Sequence, residues 1–166
     1  RRLMRDPMAL TVDASLAAWI HQHCSFPCSM VDRIVPRTDD TMRQHVAQAL
    51  GLHDAWPVAT EAFFDWAIED HFAAGRPAWT VQPGARFVPD AAPWEALKLR
   101  MVNGSHTTLA CCAVLAGWPT VDIAMAQPAM RHFINTMMRD EIAPTLPSLP
   151  GFDAADYRHQ LLARFA

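Results

Sequence analysis

The segment from Pro93 to Gly117 carries helix signals at both ends and an almost unbroken apolar background between them. Asp90 can cap the start of a helix, and Pro93 suits its first turn. Gly117, with Pro119 shortly after it, is typical of a helix end. An apolar background of this kind indicates a helix that is buried on most sides. We therefore expect residues 93–115 to form one continuous helix, the most buried long helix of the chain.

Four of the polar side chains in this stretch are candidates for chemistry, and three of those four share one side of the predicted helix. At about 100° per residue, Glu95, Lys98 and His106 lie within an arc of roughly 80°. Asn103 lies roughly 60° beyond that arc. Burial lowers the pKa of a lysine from about 10.4, and a neutral lysine can act as a base. The amide of Asn103 and the imidazole of His106 can donate hydrogen bonds to an oxygen that becomes negative.

These groups suit the removal of a hydroxyl proton while the attached carbon loses hydride. Lys98 would be the base, and Glu95 is predicted to support the relay of the proton. The same pattern also fits a buried helix whose polar residues cap neighbouring segments or face water. The spacing of the residues leaves both interpretations open.

Two other segments place charged residues inside apolar runs. Residues 30–35 form a β-branched run around Asp32 and Arg33, which indicates a buried strand near a polar site. Further along, an aromatic stretch is interrupted by Glu69 and Asp70. Ion pairs with neighbouring segments are the alternative interpretation of Asp32 and Arg33.

Secondary-structure signals elsewhere are local and mostly helical. Residues 1–23 and 38–50 have the spacing of helices. Residues 79–81 and 86–88 are short β-type runs on either side of Pro83-Gly84, which predicts a hairpin.

Taken in order, these motifs resemble the polyol-specific long-chain dehydrogenases, the family of mannitol 2-dehydrogenase and fructuronate reductase. The spacing of Lys98, Asn103 and His106 is similar to the K-x₄-N-x₂-H signature of that family. In the family the lysine is the general base, and the asparagine and histidine bind and polarise the reacting oxygen. The resemblance implies the same roles here. Six further segments agree in order: Phe26-Pro27 with Met30 to Pro36, Phe64 to Phe72, Gly75-Arg76-Pro77, Pro144-Thr145-Leu146, Pro150-Gly151 and Arg164-Phe165.

The resemblance also implies ligands and further site residues. Val31 and Asp32 are predicted to contact the cofactor, which would be NAD or NADP. Arg33, Glu69 and Asp70 are predicted substrate-pocket residues. The substrate would be a sugar alcohol or a sugar acid, and the family needs no metal.

The implied fold class is mixed and mainly α. Residues 1–92 are predicted to be the rear part of a Rossmann-type cofactor domain with short strands. Residues 93–166 are predicted to begin an all-α substrate domain of the type found at the C-terminus of 6-phosphogluconate dehydrogenase. The Gly-rich turn that cradles a dinucleotide pyrophosphate is absent from the sequence. We therefore expect a fragment whose cofactor is bound mainly by an upstream part. The rival hypothesis is a non-catalytic helical module, or a subunit that works only with a partner chain.

Composition narrows the remaining function classes. A net charge of −3 and a pI of about 6.2 give no broad basic surface, so nucleic acid is not an expected partner. No apolar run has the length of a membrane span. The four cysteines lack the spacing of a disulfide framework, which indicates reduced thiols in a cytoplasmic protein. We expect this protein to be a monomer or a weak oligomer. One cluster lacks the usual spacing of a zinc site, so no metal is expected there: His21, His23, Cys24 and Cys28.

Overall fold

A computed structural model describes residues 13–79 and 83–166 of the chain. The chain divides into two compact units, Arg1–Ala91 and Ala92–Ala166. This division lies next to the predicted boundary between residues 92 and 93. The assignment of the first unit to the cofactor and of the second unit to the substrate stays a prediction.

In its described residues, 13–79 and 83–91, the first unit combines two helices with three short strands. Helix α1 is Ala14–His23, and the part of the predicted helix over residues 1–12 lies outside the described residues. The Asp13 carboxylate caps α1 by accepting from the N–H groups of Ser15 and Leu16. The other elements are strand β1 (Ser29–Asp32), helix α2 (Asp40–Leu50), strand β2 (Asp65–Glu69) and strand β3 (Ala85–Val88).

The three strands form one sheet in the order β1-β2-β3. β1 and β2 are antiparallel, with Asp32 opposite Asp65, whereas β2 and β3 are parallel. The strand that follows Pro83-Gly84 is β3, and it pairs with β2. The other strand of the predicted hairpin, residues 79–81, cannot be compared because residues 80–82 lie outside the described residues. Gly84 allows this pairing because its φ is +91° and a Cβ there would overlap the carbonyl oxygen of Phe64.

The second unit is helical throughout its regular elements. One unbroken helical path runs through α3 (Ala92–Leu97), a π-helical segment (Lys98–Gly104) and α4 (Ser105–Ala116). Gly117, with a φ of 76°, ends this path. The remaining elements are α5 (Val121–Met125), α6 (Pro128–Met137), a second π-helical segment (Met138–Ile142), a short 3₁₀ turn (Ala143–Thr145) and α7 (Ala154–Arg164).

The predicted long helix is confirmed in its continuity and in its core residues, but not as a uniform α-helix. Leu97 and Leu109 are 1% and 0% exposed, as the apolar spacing predicts. At the C-terminal end, Val114 and Leu115 are 78% and 89% exposed, so the burial does not extend over every side. Across residues 13–79 and 83–166, no helix has both the length and the apolar character that crossing a membrane would require.

Burial along this path predicts a large difference between two leucines of α4. Leu109→Ala should lower the free energy of unfolding by about 2–5 kcal/mol, because it leaves a cavity in the core of the second unit. Leu115→Ala should change it by no more than about 0.5 kcal/mol, because that side chain is exposed. Urea unfolding of the two variants, followed by circular dichroism, checks the difference; equal losses would contradict the assigned burial.

Candidate active site

The first feature of the candidate site is the π-helical segment, because it spans the Lys98–Asn103 spacing. In an α-helix, two residues five positions apart are separated by about 140° around the axis. A π-helix forms i→i+5 hydrogen bonds, so each turn holds more residues and positions five apart approach alignment. The widened turn therefore reduces the angle between Lys98 and Asn103. π-Helical turns inside α-helices are frequent at functional sites.

The exposure of the three signature residues differs from the expectation of a mostly buried polar side. Lys98 is half-buried, whereas Asn103 and His106 are exposed. The buried positions of the same stretch are the apolar Met101 and Val102. The burial expected around the lysine is therefore only partial in this chain.

Contacts within the second unit bring separate motifs together. The His106 ring lies edge-on to the Phe165 ring, with 5.8 Å between centroids, and Phe165 is buried. The Arg100 guanidinium donates to the carbonyl oxygen of Thr145. Both pairs join the signature stretch to motifs that lie about forty-five to sixty residues further along the chain. Glu95 is half-buried and has an interaction partner.

In the first unit, the predicted cofactor residues lie on β1 and face opposite ways. Val31 is 49% exposed, whereas Asp32 is 1% exposed. Arg33 follows the strand; its Nε donates to the carbonyl oxygen of Glu61 at 2.9 Å, and its guanidinium lies 5.4 Å from the centre of the Phe64 ring. These contacts order the loop after β1. A substrate contact by Arg33 stays a prediction.

The two acidic residues at the end of β2 have different surroundings. Asp70 is exposed and forms an ion pair with Arg76 at 2.8 Å, and Arg76 also lies over the Phe87 ring. Glu69 is buried, and its Oε2 accepts from the backbone N–H of Cys28 at 2.8 Å. Asp70 thus forms an ion pair on the surface, and the Glu69 carboxylate is directed at the backbone of its own unit.

Sequence reasoning missed one ion pair of the first unit. Arg86 on β3 pairs with the buried Asp65 on β2, and Asp65 lies opposite Asp32 in the β1–β2 register. Residues opposite each other in a sheet share a face, so the pair lies on the Asp32 face. The only sequence signal is an acid and a base in two apolar runs, which does not by itself specify a strand register.

Metal-type ligands do not gather in the part of the chain that the structure describes. Within residues 13–79 and 83–166, no group of three or more His, Cys, Asp or Glu side chains has the arrangement to hold a metal ion. Cys24, Cys28, Cys111 and Cys112 are free thiols.

Two family models match the chain. The mannitol dehydrogenase Rossmann domain matches residues 2–81, and the mannitol dehydrogenase C-terminal domain matches residues 90–166. Among curated relatives, the uncharacterized oxidoreductase YeiQ of Escherichia coli (strain K12) is 45% identical over 159 residues, 96% of this chain and 32% of that protein. The D-mannonate oxidoreductase of the same organism is 43% identical over 159 residues, which are 96% of this chain and 32% of that protein.

A solved structure shows the same architecture. The Pseudomonas fluorescens mannitol 2-dehydrogenase, in a ternary complex with NAD and D-mannitol, has a TM-score of 0.80 and 39% identity to this chain. The match covers 95% of this chain and 32% of that one, so the chain spans about a third of the length of these relatives. The predicted fold class, a Rossmann-type part followed by a helical part, is confirmed. With both family models matching and nearly all its residues covered, this chain belongs to the mannitol dehydrogenase family.

Proposed function

We propose that this chain is part of an NAD-dependent oxidoreductase that interconverts a secondary hydroxyl of a sugar alcohol or aldonate with the ketone of a ketose or keto-uronate. The observation that carries the proposal is the placement of Lys98 and Asn103 on one π-helical turn, with His106 at the start of the next helix. This stretch lies inside the match to the mannitol dehydrogenase C-terminal domain. Relatives named for mannonate and mannitol oxidation support the substrate class.

In the proposed mechanism, each signature residue acts on the reacting hydroxyl. Lys98 removes the hydroxyl proton as general base. Asn103 donates through its amide to the oxygen as negative charge develops there, and His106 holds the same oxygen from α4. Glu95, one turn before Lys98, relays the proton away from the site. NAD, when bound, supplies the hydride acceptor.

The residues of this chain fit one part of the cofactor and not the rest. Val31 is an exposed apolar side chain beside the buried Asp32, and an exposed apolar side chain can contact a planar ring. The sequence contains no G-x-G-x-x-G turn, so we assign the pyrophosphate contacts to the upstream part of the longer polypeptide. We propose NAD as the cofactor because the similar mannitol 2-dehydrogenase is in a ternary complex with NAD. NADP is the alternative, and the activity assay described below distinguishes the two cofactors.

The proposal also covers the metal requirement, the partners, the oligomeric state and the compartment of the enzyme. The reaction is metal-independent in this proposal: Lys98 accepts the hydroxyl proton, and Asn103 and His106 stabilise the negative charge on the oxygen, which a bound metal does in other enzymes. The partners are small-molecule polyols or sugar acids rather than nucleic acid or membrane, and the protein is a monomer or weak oligomer. Four free thiols are compatible with a reducing compartment such as the cytoplasm.

An activity assay on the full-length polypeptide that contains this chain tests the proposal. D-mannitol and D-mannonate are each supplied with NAD or with NADP, and reduced nicotinamide is followed by absorbance, with and without a chelator. We expect oxidation of at least one substrate with NAD, unaffected by the chelator. A folded polypeptide that oxidises neither substrate with either cofactor would favour the rival hypothesis, a non-catalytic helical module.

A further inference from the structure

The Glu69 carboxylate has two backbone neighbours that are distant in sequence. Its Oε2 accepts from the N–H of Cys28 at 2.8 Å, across 41 positions of the chain. Its Oε1 lies 3.4 Å from the N–H of Ala91, across 22 positions. Glu69 is 7% exposed and Ala91 is 0% exposed, so water does not compete freely for these groups. One side chain therefore links two separate points of the first unit.

At Cys28 the carboxylate replaces a backbone acceptor. Glu69 and Cys28 continue the antiparallel β1–β2 pairing, and the Glu69 N–H donates to the Cys28 carbonyl at 2.8 Å. In a regular ladder the Glu69 carbonyl would accept the Cys28 N–H in return. Instead that carbonyl accepts from His71 at 2.9 Å, in the turn after β2. The side chain thus completes the pairing at the position where the backbone turns away.

Each of the two linked points lies next to a segment that carries proposed functional residues. Cys28 directly precedes β1, which carries Val31 and Asp32. Ala91 is the last residue of the first unit and directly precedes the helical path that carries Lys98. An ionised carboxylate has two oxygens and only accepts, so it can serve both N–H donors at once. A glutamine offers one oxygen and would turn an NH₂ donor toward one of the N–H groups.

We propose that Glu69 is a positioning residue for the dehydrogenase reaction, one that fixes the backbone at Cys28 and at Ala91. This inference rests on the proposed function. It replaces the predicted role of Glu69 in the substrate pocket, because both carboxylate oxygens are directed at backbone N–H groups. Its main effect is on cofactor binding, since Cys28 leads into the strand with the proposed cofactor contacts.

The test compares Glu69→Gln with Glu69→Asp and with the control Asp40→Asn in the full-length polypeptide. Asp40 is an acid of the same unit, but it is exposed and pairs with Arg43. We expect Glu69→Gln to raise the KM for NAD about tenfold, the effect of one charge-assisted hydrogen bond, with a smaller change in kcat. Amide hydrogen exchange should become faster at Cys28 and Ala91. Asp40→Asn should leave the KM and both amides unchanged.

Glu69→Asp keeps the charge but is one methylene shorter, so it should recover part of the KM and protect at least one of the two amides. A purely structural role would reduce the amount of folded enzyme without changing the KM of the folded molecules. A Glu69→Gln enzyme with the KM and amide exchange of the wild type would overturn the inference. If Glu69→Gln does not fold, Glu69→Asp decides by the same two measurements. A wild-type polypeptide without dehydrogenase activity would instead overturn the proposed function.

Discussion

We expect Lys98→Met to lower the kcat of alcohol oxidation by the full-length enzyme by about 10²–10⁴-fold, the usual contribution of a positioned general base. Methionine keeps much of the length of lysine and its helix propensity, so the helical path should still fold. Lys98→Ala should show a similar loss, and small exogenous amines should restore part of it by occupying the vacated space.

Arg100→Met is the matched control for this prediction. Arg100 is a second cation, two residues further along the same π-helical segment, but it is exposed and donates to the Thr145 carbonyl. Its replacement should leave the kcat nearly unchanged. If Lys98→Met lowered stability but kept the turnover per folded molecule, Lys98 would have a structural role and the proposed mechanism would be wrong.

Asn103→Ala should lower kcat by about 10²–10³-fold, because it removes a donor to the oxygen that becomes negative. Unlike Lys98→Ala, it should gain no activity from small exogenous amines, because its base is still present. Asn103→Asp should be slower still, since it replaces the amide donor by a carboxylate oxygen next to the developing charge. Stopped-flow measurement of reduced nicotinamide, with and without an added amine, separates these expectations.

The control for Asn103 is Thr107→Ala, which changes another exposed polar residue of the same helical path. It should keep the wild-type kcat to within about twofold, as expected for a surface substitution away from the reacting atoms. An Asn103→Ala enzyme that exogenous amines restore as they restore Lys98→Ala would contradict a direct role, because Asn103 would then act through Lys98.

The predictable parts of this structure depend on local signals. The end of the long helix at Gly117 and the burial of Leu97 and Leu109 follow from capping chemistry and apolar spacing. The order of the family motifs correctly predicts the family, and both family models agree with it.

The parts that could not be predicted depend on distant pairing. The Glu69–Cys28 hydrogen bond spans 41 positions, and the Asp65–Arg86 ion pair spans 21. Neither contact produces a periodic pattern in the sequence, because each depends on the register in which the strands pair. The parallel pairing of β3 was missed for the same reason, since a Pro-Gly turn predicts the nearest strand as the partner.

The π-helical turn has a consequence for how the length of this stretch can vary. A π-helical turn holds about one residue more than an α-helical turn, so deleting one residue between Lys98 and Gly104 would restore an ordinary α-helical turn and leave the later residues on nearly the same faces. His106 would then stay against the Phe165 ring, and Leu109 would stay in the core. Adding one residue to the same stretch would instead rotate every later residue by about 100° and remove both contacts. The stretch can therefore lose one residue but cannot gain one.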